Sequence, residues 1–127
     1  MSRKHLLVVF CAALIVPAAA SAASGTPLVG AYTFMAQADN PATLVVDTRT
    51  GAQDHLFPGA LRLPASRLTD IARFAKRDGV RVLLVGETER DARHLASFAA
   101  AQCPQCRVLE GGAQAYRLMM RSGSYGL

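Results

Sequence analysis

The feature of this sequence that most restricts its fold is a set of three short apolar runs without polar alternation. They are Thr43–Asp47, Arg81–Val85 and Arg107–Leu109, and most of their residues are valine or leucine. A strand with one solvent-facing side alternates apolar and polar residues, whereas a strand buried on both sides does not. The runs therefore predict inner strands of a parallel sheet. Ala60–Leu63 is a weaker candidate for a fourth strand.

Helical patterns separate these runs. Apolar residues recur with helical spacing over Leu68–Ala75, and Gly79 follows where a helix commonly ends in the left-handed conformation. A second helix spans Ala92–Ala99, and Thr88 with Asp91 predicts a capping box at its start. Further helix candidates are Leu28–Gln37 and Ala113–Arg121. Strands and helices in this rhythm predict a three-layer α/β/α fold around a central parallel sheet of about five strands.

The first 22 residues have the composition of a secretory signal peptide. Arg3 and Lys4 give a basic start, Leu6–Ala20 carries no charge, and Ala20-Ser21-Ala22 offers the small residues that signal peptidase requires. We expect cleavage after Ala22, which would make the protein periplasmic or secreted and leave no membrane span. An uncleaved anchor is the alternative, because the apolar stretch reaches the lower length limit of a span.

The remaining chain has the length of one domain. We expect a flexible entry over residues 23–27, a domain over 28–122 and a C-terminal tail over 123–127. The sequence holds 14 lysines and arginines, two of them in the signal peptide, against 9 acidic residues. The basic residues form no run and have no interleaved aromatics, so a nucleic-acid surface is not expected. No cofactor or metal is predicted either.

Several short motifs follow one another in a characteristic order. Val46-Asp47-Thr48-Arg49 closes a strand, His55-Leu-Phe-Pro-Gly-Ala60 leads into the next, and Val108-Leu-Glu-Gly-Gly112 precedes a helix with Tyr116. Over about residues 28–120 this order resembles the rhodanese-like family. The resemblance implies a cysteine directly after the fourth strand, which carries sulfur as a persulfide from a donor such as thiosulfate. It also implies that Asp47 and Arg49 are a scaffold pair that braces the cysteine loop.

This chain lacks that cysteine. Gly86 follows the strand directly, and the segment equivalent to the active-site loop is Gly86, Glu87, Thr88, Glu89 and Arg90, one residue shorter than the family's usual loop. Its carboxylates, with Asp91, would repel an anionic donor and can occupy the helix N-terminus themselves. They could instead hold a cation or a basic partner. Because acids in the first turn of a capped helix need no ligand, we favour the structural role.

Cys103 and Cys106, in the sequence Cys-Pro-Gln-Cys, are the remaining reactive residues. Such a pair could be a redox dithiol, or half of a zinc site if a second pair were present. Here the pair follows a helix, and the negative end of a helix disfavours a thiolate. In an exported protein we expect a small local disulfide.

Together these features predict an exported rhodanese-like domain that lacks the catalytic cysteine. We expect it to act as a non-catalytic binding or accessory module, with an unidentified envelope protein as its partner. One alternative is a sulfur-transfer or thiol-disulfide enzyme that uses Cys103 and Cys106. Another is a structural subunit of an envelope complex, contacted through the loop at Gly86.

Overall fold

A computed structural model of the chain describes residues 26–51 and 54–125. The predicted signal peptide, residues 1–22, and residues 23–25 of the predicted entry lie outside the described residues. None of the helices in the described part is long and apolar enough to cross a membrane.

Strands and helices alternate along the chain. The five strands are β1 Leu28–Val29, β2 Thr43–Asp47, β3 Leu61–Arg62, β4 Arg81–Val85 and β5 Cys106–Leu109. The four helices are α1 Ala31–Ala38, α2 Leu68–Asp78, α3 Glu89–Gln102 and α4 Gly112–Tyr125, and a 3₁₀ turn over Ala65–Arg67 precedes α2.

The strands form one sheet in the order β1-β5-β4-β2-β3, and every neighbouring pair is parallel. The predicted three-layer α/β/α fold with five parallel strands is therefore confirmed. Parallel pairing places the carboxyl ends of the strands at one edge of the sheet and their amino ends at the other. These two edges are called below the carboxyl edge and the amino edge.

The strand β4 shows why the apolar runs lack alternation. Val82 and Leu84 pack on one face of the sheet, while Leu83 and Val85 pack on the other, and all four are fully buried. Apolar residues of α2 and α3 cover the first face. The second face is covered by α1 and α4, mainly through Phe34 and Tyr116.

One predicted helix was wrong at its start. Leu28 and Val29 were assigned to a helix over Leu28–Gln37, but they form strand β1 and pair with Val108 and Leu109 of β5. The helix α1 begins only at Ala31, after Gly30 in an extended conformation. Two residues are too few to show a strand period, so pairing with β5 determines their conformation.

The other helix boundaries agree more closely with the sequence patterns. Helix α2 ends at Gly79 with a φ of 67°, and the apolar positions predicted for its inner face are buried. Helix α4 extends to Tyr125, so it replaces the predicted tail over residues 123–125. At the amino edge, β5 begins at Cys106, one residue before the predicted strand.

The sulfur atoms of Cys103 and Cys106 lie at disulfide-bonding distance, with 5.3 Å between the Cα atoms. Cys103 caps the end of α3 and Cys106 opens β5, so the bond spans a tight turn at the amino edge. Both residues are 1% exposed or less and belong to the core beneath α2 and α3. The pair therefore contributes packing as well as a covalent constraint.

Breaking this disulfide should weaken the domain without unfolding it. A closed loop of four residues restricts the unfolded chain by about 2 kcal/mol in the chain-entropy model. Urea unfolding of the protein with and without dithiothreitol should show a loss of about this size. A Cys103→Ala, Cys106→Ala variant should lose more, because buried sulfur atoms are also removed. Complete unfolding in dithiothreitol would mean that the bond decides folding.

Candidate functional site

An open cleft of about 470 Å³ lies at the carboxyl edge, where ligands of parallel α/β sheets usually bind. It lies between the loop after β2 and the loop after β4. Its polar lining comes from Thr48, Arg49, Thr50, Glu87, Asp91 and His94. Of the predicted loop residues Gly86–Arg90, called here the Gly86 loop, Glu87 lines the cleft.

Gly86 occupies a position that has no room for a side chain. It is buried, and a Cβ built on its backbone would lie 2.8 Å from Cβ of Asp91 and 3.3 Å from Cδ1 of Leu95. The first of these distances is shorter than real Cβ contacts allow. The first two turns of α3 thus pack directly against the backbone where the resemblance implies a cysteine.

The backbone of the Gly86 loop is joined to the first turn of α4. The carbonyl oxygens of Gly86 and Glu87 accept hydrogen bonds from the N–H groups of Ala113 (2.8 Å) and Gln114 (3.0 Å). Gly112 has a φ of +68°, and a Cβ there would lie 2.8 Å from the backbone of Glu87. Glycine at position 112 is therefore required both by its backbone conformation and by this close approach.

The acids that follow Gly86 serve the start of α3. The N–H of Asp91 donates to Oγ1 of Thr88 at 3.1 Å, and the N–H of Thr88 donates to Oδ2 of Asp91 at 3.2 Å. This confirms the predicted capping box. Glu89 is exposed and pairs with Arg93 one turn later at 3.2 Å, and Arg90 is exposed beside it. Glu89 and Asp91 thus have the structural role expected of first-turn acids.

Arg49 holds the loop after β2. Its Nε and Nη2 donate to the two carboxylate oxygens of Asp47 at 2.9 and 2.8 Å, and both side chains are 2% exposed. Its Nη1 and Nη2 also donate to Asp54 at 2.9 Å each. The guanidinium lies over the ring of Phe57, 5.1 Å from its centre. Asp47 and Arg49 thus bind one another, as a bracing pair would.

Glu87 connects this loop to α4. Its carboxylate accepts hydrogen bonds from Nη1 and Nη2 of Arg117 at 2.8 and 3.0 Å, and it lies 3.6 Å from Nη1 of Arg49. Arg117 also reaches Asp54 at 3.4 Å. We call Asp47, Arg49, Asp54, Glu87 and Arg117 the ion-pair network. Glu87 is therefore already satisfied by cations from within the domain.

The network shifts the pKa values of four of its members, Arg49, Asp54, Glu87 and Arg117, in the direction that favours their charged forms. Hydrogen bonds from Arg49 hold the pKa of the Asp54 carboxyl well below its usual range, and those from Arg117 lower the pKa of Glu87. Hydrogen bonds to Asp47 and Asp54 raise the pKa of Arg49. The hydrogen bonds to Glu87 raise the pKa of Arg117. Arg49, the one arginine among the described residues that line the cleft, is therefore already paired with carboxylates and is not available to an anionic donor.

Two members of the network were missed in the sequence. Asp54 lies in the loop after β2 and Arg117 on α4, 63 residues apart, and Glu87 is 30 residues from Arg117. No local spacing connects them. The sequence offered one signal only. Glu87 lies in a loop where the resemblance implies an anion site, and a carboxylate at such a place needs a cation nearby once the sheet has formed.

The two histidines of the described residues lie apart from the two cysteines. His55 and His94 are both exposed, and only His94 lines the cleft. Cys103 and Cys106 are at the amino edge, on the far side of the sheet from Gly86. Within the described residues no three histidine, cysteine or acidic side chains are placed to hold a metal ion.

No model of a known protein family matches this chain, and no curated protein is significantly similar to it in sequence. The function proposed below therefore depends on the geometry of the site and on the motifs of the sequence.

The ion-pair network predicts a loss of stability in acid. Carboxylates with lowered pKa values stabilise the fold above their unfolded pKa of about 4, and this contribution is lost as the pH falls toward the folded values. Asp54→Asn should be less stable than wild type near neutral pH, and the difference should narrow at about pH 3. Urea unfolding of both proteins between neutral pH and about pH 3 measures this difference in stability.

Asp70→Asn is a control for the change of charge, because among the described residues Asp70 pairs with two exposed arginines, Arg67 of the 3₁₀ turn and Arg73 of α2. If Asp54→Asn lowers the free energy of unfolding by the same amount at neutral and acid pH, the network does not stabilise the fold through ionisation.

Proposed function

We propose that this chain is an exported domain of the rhodanese-like type that has lost sulfur transfer and works as a binding or accessory module. Its motif order resembles that family, and a three-layer fold with a parallel sheet is compatible with the resemblance. The observation that carries the proposal is at Gly86, where Cβ of Asp91 lies 2.8 Å from the position that a Cβ would take. A thiol at this residue has no place beside α3.

Sulfur transfer through a persulfide requires a thiolate that faces N–H donors and an open approach for an anionic donor. Here the carbonyl groups of the Gly86 loop are turned toward the first turn of α4. Asp91 caps α3, and the Glu87 carboxylate lies beside Arg49 and Arg117. Protein carboxylates thus occupy the positive groups that a substrate anion would need.

Export is part of the proposal and depends on residues 1–22. A basic start, an uncharged apolar run and the Ala-Ser-Ala site are the features that signal peptidases recognise. The neighbouring sulfur atoms of Cys103 and Cys106 suit an oxidising compartment. We therefore propose a periplasmic or secreted location for the domain.

The alternative, an enzyme that uses Cys103 and Cys106, has less support. Dithiol enzymes expose an attacking sulfur and lower its pKa at the start of a helix. In this chain both cysteines are 1% exposed or less, and Cys103 caps the opposite end of α3. The observed burial and the helix dipole both oppose a reactive thiolate.

The cleft is the surface that we assign to the partner. Its rim offers exposed hydrogen-bonding groups of Thr50, Asp91 and His94, while the charges of Arg49 and Glu87 are already compensated. A polar segment of a protein fits such a surface better than a small anion does.

The first test is enzymatic. The protein should not transfer sulfur from thiosulfate to cyanide above the uncatalysed rate, and Gly86→Cys should not restore transfer. Gly86→Cys and Gly86→Ala should both lose stability, by about 1–3 kcal/mol for an overpacked site. Gly30→Ala is the matched control, since a Cβ at position 30 meets nothing within 4 Å. Turnover by the wild type, or robust turnover by Gly86→Cys, would refute the proposal.

The second test addresses binding. Envelope proteins captured by the tagged protein should be lost from His94→Arg, which puts a large cation into the cleft. They should be retained by Ser97→Arg, because Ser97 is exposed on the same helix outside the cleft lining. Quantitative mass spectrometry of the captured proteins measures both. A partner that binds the two variants equally would exclude the cleft as the binding surface.

A further inference from the structure

The basic excess of the described residues is concentrated at the amino edge. The structure describes twelve lysines and arginines and nine acids. The amino edge holds two acids and five cations, as judged from their positions in the strands and helices. The acids are Asp39 and Asp78, and the cations are Lys76, Arg77, Arg81, Arg107 and Arg121. The remaining described residues contain seven lysines or arginines and seven acidic residues. The excess of three positive charges therefore belongs to the edge opposite the cleft at Gly86.

Two of these arginines border a single cleft. Arg81 is the first residue of β4, and Arg107 is the second of β5, the neighbouring strand. Residues two apart on a strand point to the same face of the sheet, so Arg81 and Arg107 lie on the face of Leu83 and Leu109. Helices α1 and α4 cover this face. Both line a cavity of about 270 Å³, together with Gly79, Pro104 and Gln105.

The arginines of this cleft have no carboxylate partner among the described residues, in contrast to those of the ion-pair network. Nη1 of Arg107 donates to the carbonyl oxygens of Pro104 at 2.8 Å and of Cys106 at 2.9 Å, and it forms no ion pair with a described residue. Its Nε and Nη2 stay available while the two carbonyls fix the group. Arg81 is exposed and likewise makes no ion pair within the described chain.

Helix ends explain only part of this charge. Lys76 and Arg77 lie in the last turn of α2, where cations offset the helix dipole. Arg81 is on a strand and has no such role. Gln105 also lines the cleft, and its Oε1 is buried and receives no hydrogen bond from the described residues. Rotation of this amide by half a turn would present an N–H donor instead.

We propose that the cleft between Arg81, Gln105 and Arg107 binds an oxoanion of the phosphate type. Two guanidinium groups and one carboxamide suit a tetrahedral anion, since arginine recognises such groups through paired N–H donors. The phosphate could be free in solution or belong to a lipid headgroup. This inference does not depend on the proposed function, because the cleft is formed by the amino edge alone.

The test measures binding of inorganic phosphate to the protein by calorimetry, with chemical-shift mapping of Arg81 and Arg107. Arg81→Gln should weaken binding about tenfold, the loss expected for one charge-assisted hydrogen bond. Gln105→Glu should weaken it as well, by placing a carboxylate against the anion. Arg93→Gln should bind as wild type does, because Arg93 is an exposed arginine of α3 that pairs with Glu89.

A second arm distinguishes the sources of the phosphate. Cosedimentation compares vesicles of phosphatidylcholine with vesicles that also contain phosphatidylglycerol. Binding that needs phosphatidylglycerol and is lost in Arg81→Gln supports the lipid headgroup, whereas saturable phosphate binding without it supports the free anion. The proposal is overturned if neither probe binds, or if Arg81→Gln and Arg93→Gln weaken binding equally, since net charge alone would then explain it.

Discussion

The carboxyl edge of this domain depends on the buried guanidinium of Arg49. A charge that is 2% exposed requires compensation within the protein, and removal of its partner from a buried pair costs about 3–5 kcal/mol. Asp47, the last residue of β2, provides that compensation, and Asp54 completes it from the following loop. Glu87 then extends the contact to the loop after β4 and to Arg117 on α4. One cation thus fixes the relative positions of two strand ends and a helix.

This arrangement occupies the positive groups at the sheet edge where ligands of parallel α/β folds usually bind. An anion site needs positive groups whose partners are solvent, whereas Arg49 and Arg117 are already paired with carboxylates of the domain. Gly86 carries no nucleophile, and the Cβ of Asp91 fills the space that a side chain at this position would need.

The inner part of the fold could be predicted from local patterns, because β2 and β4 are buried on both faces and α2 and α3 have clear ends. Strand β1 could not, since its two residues acquire their conformation from β5. The absence of a thiol at Gly86 was visible in the sequence, but the contact with Asp91 depends on the angle at which α3 leaves the loop. Arg117 was missed for a related reason: its partner Glu87 is 30 residues away and no periodicity connects them.

The two edges of the sheet are fastened by different chemistry. Ion pairs hold the carboxyl edge, so protonation of Asp54 and Glu87 weakens it as the pH falls. At the amino edge, the bond between Cys103 and Cys106 and the contacts of Arg107 with backbone carbonyls fasten the turn. A reductant acts there instead, and only after the turn opens, because both sulfur atoms are buried. The apolar core of β4 separates the edges, so the cleft beside Gly86 and the arginine cleft at the amino edge have no lining residue in common.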